Sequence, residues 1–151
     1  MGSEVHLETG LLAGVGEPVE RILAAAELCF STSGYAATSM RQIADAAGVS
    51  KSLLHYHFQS KEHLFLETTV RIYNRLSAEI TEGMGEAGTS SERALFALDA
   101  LFASLKRTPY FQVQTEVWAR SLTNESLRVH AERLREHLRG EIIRRMGQIL
   151  G

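Results

Sequence analysis

The sequence predicts an all-α protein in which a three-helix, N-terminal helix-turn-helix head is joined by a long fourth helix to a C-terminal helical bundle. Apolar residues recur at three- and four-residue spacing along most of the chain, and no stretch alternates apolar and polar residues over the length of a strand. Capping residues and glycines divide these periodic stretches into seven helices. We expect an arm over residues 1–16, a head over 17–62 and a body over 63–151.

The first helix of the head is delimited by a proline and a glycine. Pro18 suits the first turn of a helix because its missing N–H has no intrahelical partner there. Gly34 can end the helix because glycine adopts backbone angles that other residues avoid. A first helix is therefore predicted from about residue 17 to residue 33.

Capping signals also place the second and third helices. Ser39 and Gln42 have the spacing of a capping box, which predicts a second helix running through Ala47. Gly48 can end that helix in the left-handed conformation, and Ser50 can cap a third helix two residues later. Two short helices joined by so tight a turn are typical of the helix-turn-helix motif, whose second helix enters a DNA major groove.

The third helix, at about residues 50–58, has two distinct faces. At about 100° per residue, Leu54 and Phe58 point in one direction, which we assign to the core. The opposite arc, with Lys51 near its edge, carries Ser52, Leu53, His55 and Tyr56. Leu53 has two interpretations: it packs on the first helix, or it reaches the groove and contacts a thymine methyl group.

Positive charge is concentrated near this motif. Residues 38–61 contain Arg41, Lys51 and Lys61 against Asp45, a net charge of +2 (3 minus 1), whereas the whole chain has a net charge of −2. Lysine and arginine at the margins of a groove-binding helix neutralise DNA phosphates. The charge pattern therefore favours the same face for DNA.

The body contains four further predicted helices. Ser60 can cap a fourth helix to about residue 82, and Thr89 with Glu92 forms a second capping box. Pro109 can open the sixth helix, and Asn124 can cap the seventh. The fifth helix has an apolar stripe that we expect on its buried side, formed by Leu95, Leu98, Leu101, Phe102 and Leu105.

The motif resembles the head of the TetR family of transcriptional repressors. The residues that carry the resemblance are Thr38, Ser39, Arg41, Ile43, Ala44, Ala47, Gly48, Val49, Ser50, Lys51, Leu54, Phe58, Lys61 and Glu62. The likeness extends upstream through Ile22, Leu23, Ala26, Phe30, Gly34 and Tyr35. It implies a cytoplasmic homodimer that binds a palindromic double-stranded DNA operator and is released by a small-molecule inducer.

The resemblance also assigns roles to individual residues of the head. Ser39, Tyr56, His57 and Lys61 would contact phosphate, whereas Arg41, Lys51, Ser52 and His55 would lie nearest the bases. Ser52, Leu53 and His55 depart from the residues common in the family, so base preference is open. The DNA-binding residues predicted in all are Thr38, Ser39, Arg41, Ser50, Lys51, Ser52, Leu53, His55, Tyr56, His57 and Lys61.

The body of a TetR-like regulator binds the inducer, and candidates here are mainly aromatic. They are Tyr73, Met84, Phe102, Tyr110, Phe111 and Trp118, with Arg120 as a possible anchor for an acidic group. Aromatic residues at helical spacing are core more often than pocket, so ordinary core is the favoured alternative for each of them. Family members usually continue for two more helices that pair in the dimer, so we expect a truncated chain or a shortened member that dimerises otherwise.

Composition narrows the function classes. One cysteine allows no intrachain disulfide, no apolar run reaches the length of a membrane span, and the arm lacks the basic residues of a minor-groove arm. We find no catalytic motif and expect no enzyme activity and no cofactor. We also expect no metal site, because His55 and His57 diverge by about 200° on a helix. The alternative function is a helical protein-interaction or ligand-carrier module that does not bind DNA.

Overall fold

The computed structural model describes residues 16–84, 88–107 and 110–150, which form seven α-helices. They are α1 (Glu17–Ser33), α2 (Met40–Ala47), α3 (Lys51–His57), α4 (Lys61–Met84), α5 (Ser90–Arg107), α6 (Tyr110–Ser121) and α7 (Glu125–Leu150). The all-α prediction is confirmed. Among the described helices, none is both long enough and apolar enough to cross a membrane.

The predicted caps of α2 and α3 are present. The Ser39 hydroxyl accepts the Gln42 N–H at 3.2 Å, and the Gln42 side chain accepts the Ser39 N–H at 2.8 Å. Gly48 has φ 64° and ψ 38°, the left-handed conformation that ends α2. The Ser50 hydroxyl accepts the Leu53 N–H at 3.1 Å, so α3 begins directly after Ser50.

The caps of the body helices are also those that the sequence indicates. Ser60 accepts the His63 N–H at 3.0 Å at the start of α4, and Asn124 accepts the Leu127 N–H at 3.1 Å at the start of α7. Thr89 and Glu92 form the reciprocal capping box at the start of α5. Pro109, the predicted start of the sixth helix, lies outside the described residues.

One hydrophobic core joins the head to the body. Phe30, Ile43 and Leu54 of the first three helices are fully buried, and they share a cluster with Val113 and Val117 of α6. Burial of each side chain of this size stabilises the fold by about 1.5–3 kcal/mol. The core therefore crosses the predicted boundary near residue 62, and α6 completes it.

Ion pairs add a polar connection between α1 and α4. Arg71 donates from Nη1 to Glu27 at 2.7 Å and from Nε to Glu20 at 2.8 Å. Arg75 donates to the second carboxylate oxygen of Glu27 at 2.7 Å. Because Arg71 is largely buried and Glu27 is shared, this network restrains α4 relative to α1 more than an isolated surface pair would.

The apolar stripe of α5 differs from the prediction. Leu95, Leu98 and Phe102 are all more than half exposed, whereas Ala94 and Ala97 turn toward α4. The side chains of Leu101 and Leu105 lie outside the described part of the chain. The physical reason is that α5 packs mainly on α4 and α7, so the described structure covers only its alanine side.

Two glycines allow a matched test of backbone strain. A Cβ at Gly48 or at Gly140 would meet no atom within 4 Å, but only Gly48 has a positive φ. Gly48→Ala should lower the free energy of unfolding by about 1–2 kcal/mol because of left-handed strain. Gly140→Ala, inside α7, should raise it by about 0.5–1 kcal/mol. Urea unfolding measures both; equal signs would contradict the assigned backbone conformations.

Candidate nucleic-acid interface

The helix α3 presents a polar face to solvent. Tyr56 is 81% exposed, and Lys51, Ser52 and His55 are also exposed, on the side opposite the buried Leu54. Apart from Leu53, the buried and exposed residues of α3 are those predicted from the helical wheel. Leu53 is half-buried at the border between them, so it can contact both protein and an approaching ligand.

Other predicted contact residues surround this face. Arg41 on α2 has an 82% exposed side chain, held only by a 4.0 Å ion pair with Asp45. Ser39 and Ser50 are exposed at the N-termini of α2 and α3, with their hydroxyls engaged as caps. His57 is half-buried beside the Tyr56 ring. Arg41 is therefore the most accessible cation on α2.

Thr38 is placed differently from its neighbours. Its residue is only 2% exposed, and its hydroxyl lies 2.7 Å from the Gly34 carbonyl and 3.1 Å from the Cys29 carbonyl. A buried hydroxyl satisfied in this way supports the turn between α1 and α2. A DNA contact through this side chain, as the sequence analysis expected, is not compatible with that burial.

Lys61 connects the start of α4 to the same turn. Its ammonium donates to the carbonyl oxygens of Tyr35 and Thr38, each at 3.0 Å, and lies 4.4 Å from the centroid of the Tyr35 ring. Partial burial lowers its pKa from the ordinary lysine value. An ammonium has three N–H donors, so two hold the turn and one remains for another acceptor.

Glu116 of α6 approaches the turn from the other side. Its carboxylate accepts the N–H of Tyr35 at 3.0 Å and the N–H of Ala36 at 3.3 Å. Arg120, one helical turn further along α6, donates to the same carboxylate at 3.0 Å. The turn is therefore held through its carbonyls by Lys61 and through its amides by Glu116.

The charge state of Glu116 follows from these contacts. Burial by itself would raise its pKa, but the amides of Tyr35 and Ala36 and the Arg120 guanidinium together hold the pKa below the usual glutamate value. The carboxylate is therefore ionised at neutral pH. The stability that these contacts contribute is present above the usual pKa and is lost as pH falls through the lower value.

A cleft of about 260 Å³ lies in the body between α4, α5 and α7. Its walls are largely apolar, and its charged groups are Glu141 and Arg145 of α7. The lining residues are Tyr73, Asn74, Leu76, Ser77, Ile80, Ala94, Ala97, Leu98, Leu138, Glu141, Ile142 and Arg145. Small ligands bind in concave apolar sites with a few polar groups, and this cleft has that character.

Tyr73 connects the cleft to α6. Its ring makes an edge-to-face contact with Phe111, with ring centroids 6.0 Å apart. Burial raises the pKa of the Tyr73 hydroxyl, and a hydrogen bond with the buried Gln114 side chain opposes that rise. A side chain of the cleft therefore touches the helix that carries Glu116.

Comparison with known proteins gives the same interpretation for the head. The family described as "Bacterial regulatory proteins, tetR family" matches residues 22–68. The transcriptional activator FasR of Mycolicibacterium smegmatis is 35% identical over 82 residues, covering 54% of this chain and 37% of FasR. The transcriptional repressor KstR of the same species is 32% identical over 90 residues, covering 60% and 44%.

A solved structure extends the likeness into the body. The fatty acid degradation regulator FadR from Bacillus halodurans superposes with a TM-score of 0.65 at 22% identity, covering 83% of this chain and 64% of FadR. At that identity the likeness shows the fold, and the fold includes the body helices. The head of the chain, residues 22–68, belongs to the TetR family. It spans less than half the length of FasR and KstR.

The predicted inducer-binding residues separate into three groups. Tyr73 lines the cleft and Phe111 contacts it. Phe102 is 61% exposed, Trp118 is 48% exposed, and neither lines the cleft; Arg120 is directed to Glu116 instead. The side chains of Met84 and Tyr110 lie outside the described residues.

Sequence reasoning missed several residues of both sites. Glu116 and Arg120 have the spacing of a helical ion pair, but nothing local indicates that Glu116 reaches a turn 80 residues earlier. Glu141 and Arg145 show the same spacing on α7, and only packing places them at the cleft. Within the described residues, no three His, Cys, Asp or Glu side chains form a metal-binding group.

Replacing Lys61 tests its role in the turn. Lys61→Met keeps the aliphatic stem but removes both hydrogen bonds to the turn carbonyls. We expect the free energy of unfolding in urea to fall by about 1–3 kcal/mol. The matched variant Lys51→Met, in the exposed first turn of α3, should change it by less than about 0.5 kcal/mol. Equal effects of the two variants would contradict the internal role of Lys61.

Proposed function

We propose that this protein is a DNA-binding transcriptional regulator whose α3 enters the major groove. The observation that carries the proposal is the exposed face of α3, with Lys51, Ser52, His55 and Tyr56, on a helix whose other face is buried. A short helix anchored in this way can present side chains to base edges without losing its position. Membership of the TetR family supports the same function.

The exposed positions of the contact residues support a separation into base contacts and phosphate contacts. Arg41, Lys51, Ser52 and His55 are exposed on α2 and α3, on the side that would face the base edges. Ser39, Ser50, Tyr56 and His57 flank them and suit phosphate contacts. Lys61 retains one N–H for a phosphate, and the half-buried Leu53 can contact a thymine methyl group at the border of the face.

Specific binding would need two heads. One α3 contacts only a few base pairs, and a two-fold dimer places two such helices in successive major grooves about 34 Å apart. We therefore propose a homodimer and a palindromic operator. The exposed apolar side chains of α5 and α7, Leu95, Leu98 and Ile142, are compatible with a partner surface on the body.

We further propose that a small molecule in the cleft controls DNA binding, with repression as the mode. The apolar walls favour an apolar ligand body, and Arg145 offers a cation for a polar end. The relatives include both a repressor and an activator, so the repressor role rests on the resemblance alone. The cleft can influence the head because Tyr73 contacts Phe111 and Gln114 of α6.

Selection of binding sites from random DNA duplexes tests the proposal. The full chain should enrich a palindromic sequence, and fluorescence anisotropy should show that affinity for it falls steeply with added salt. Lys51→Ala should weaken binding to the enriched duplex about tenfold and reduce the preference for that duplex over a random one. The matched variant Lys106→Ala, exposed on α5, should leave both quantities nearly unchanged.

Two results would count against this function. No enriched duplex would favour the alternative of a protein-interaction or ligand-carrier module. Equal effects of Lys51→Ala and Lys106→Ala would indicate that the chain binds DNA through general charge and not through α3.

A further inference from the structure

The carboxylate of Glu116 is bonded to backbone of the head and not to a side chain of it. Both of its oxygens are used: Oε2 accepts the Tyr35 N–H at 3.0 Å, and Oε1 accepts the Ala36 N–H at 3.3 Å. Two consecutive amides pointing at one carboxylate form a small anion-binding turn. Glu116 thus supplies from the body the anion that this turn of the head binds.

The turn is shaped to admit that carboxylate. Gly34 has φ 81°, and a Cβ at this position would lie 3.0 Å from Oε2 of Glu116, closer than ordinary contact. Any other residue would both strain the backbone and displace the carboxylate. Glycine here therefore serves the contact with α6 as well as the end of α1.

The carboxylate is held in place on α6. Arg120 donates to Oε1 of Glu116 at 3.0 Å, and Val113 and Val117 fix α6 in the core below the head. A charge held by a neighbour and a packed helix loses little freedom when it accepts a hydrogen bond, so its directing effect is strong. Glu116 is therefore restrained by contacts that do not involve the turn.

The turn in question sets the start of α2. Thr38 and Ser39 follow Ala36 after one intervening residue, Ser39 caps α2, and Gly48 ends α2 in the left-handed conformation just before α3 begins. Lys61 holds the carbonyl side of the turn from α4, and Glu116 holds the amide side from α6. Without Glu116, α2 and α3 would keep their caps and their core packing but lose one of the two side chains from the body that hydrogen-bond to the turn before α2.

We propose that Glu116 is a positioning residue for DNA binding, which sets the orientation of α2 and α3 by clamping the amides of Tyr35 and Ala36. This inference rests on the proposed function. Glu116 lies outside the DNA-facing surface, but DNA affinity depends on it. It also gives α6 a direct contact with the head, separate from the α1–α4 ion pairs.

The negative charge of Glu116 and its contact with the turn have opposite effects on DNA affinity. Removing a negative charge from a DNA-binding protein raises its affinity for duplexes in general, because repulsion of phosphate is reduced. Loss of a positioning contact lowers affinity. The two effects of Glu116→Gln therefore have opposite signs. The control Glu132→Gln removes the same charge from another helical pair, because Glu132 accepts from Arg128 at 3.0 Å on α7 with the same four-residue spacing.

The experiment compares the wild-type full chain with Glu116→Gln and Glu132→Gln. Affinity is measured on the duplex enriched from the random pool, well below the melting temperature of each protein. Amide hydrogen exchange of Tyr35 and Ala36 is measured by NMR on the free proteins. We expect Glu116→Gln to bind about tenfold more weakly and to exchange these amides about tenfold faster, with the protection of Leu54 in α3 unchanged. Glu132→Gln should bind as tightly as wild type or slightly more tightly.

A double-mutant cycle separates the clamp from general destabilisation. Gly34→Ala should weaken binding strongly in the wild-type background and less in a Glu116→Ala background, because there the new Cβ has no carboxylate to displace. Additive effects would overturn the clamp. Unchanged affinity of Glu116→Gln would overturn the positioning role alone, while a wild-type chain that binds no duplex would overturn the proposed function and this inference with it.

Discussion

The turn between α1 and α2 is the part of the molecule on which the orientation of the candidate DNA-binding helix depends. Its backbone groups are held by side chains from three places: Thr38 within the turn, Lys61 on α4 and Glu116 on α6. Beneath it, Tyr35 packs with Phe30 and Phe65, with ring centroids 5.3–5.7 Å apart. A short polar turn with this many hydrogen-bond partners forms a restrained joint, and this joint sets the orientation of the head relative to the body.

Sharing a core has a consequence for control by a ligand. The helix α6 contributes Val113 and Val117 to the head core, and it contacts Tyr73 of the cleft through Phe111. A ligand that binds better when α6 or α4 is displaced would shift the population toward heads in another orientation. The restraints that fix the joint in the free protein are therefore the contacts that such a ligand would have to bias.

Local signals explain what the sequence predicted and what it did not. The caps at Ser39, Ser50 and Asn124 depend on neighbours within three residues, and all three are present in the structure. The exposed side of α3 follows from the helical spacing of its apolar residues alone. By contrast, the contacts of Lys61 and Glu116 join residues 26 and 81 positions apart in the chain, and no local pattern encodes such a distance. Leu95, Leu98 and Phe102 of α5 were misassigned to the core because the helical period gives the apolar side of a helix but not whether another element covers it.

Mapping of the DNA-bound surface by NMR tests most directly the claim that α3, carried on this joint, binds DNA. The measurement follows backbone amide shifts of the full chain as the duplex enriched from the random pool is added. We expect the largest changes on residues 50–57 and on Arg41 of α2, with smaller ones in the turn at Tyr35 and Ala36. Changes confined to α5 and α7, with α3 unaffected, would contradict the claim.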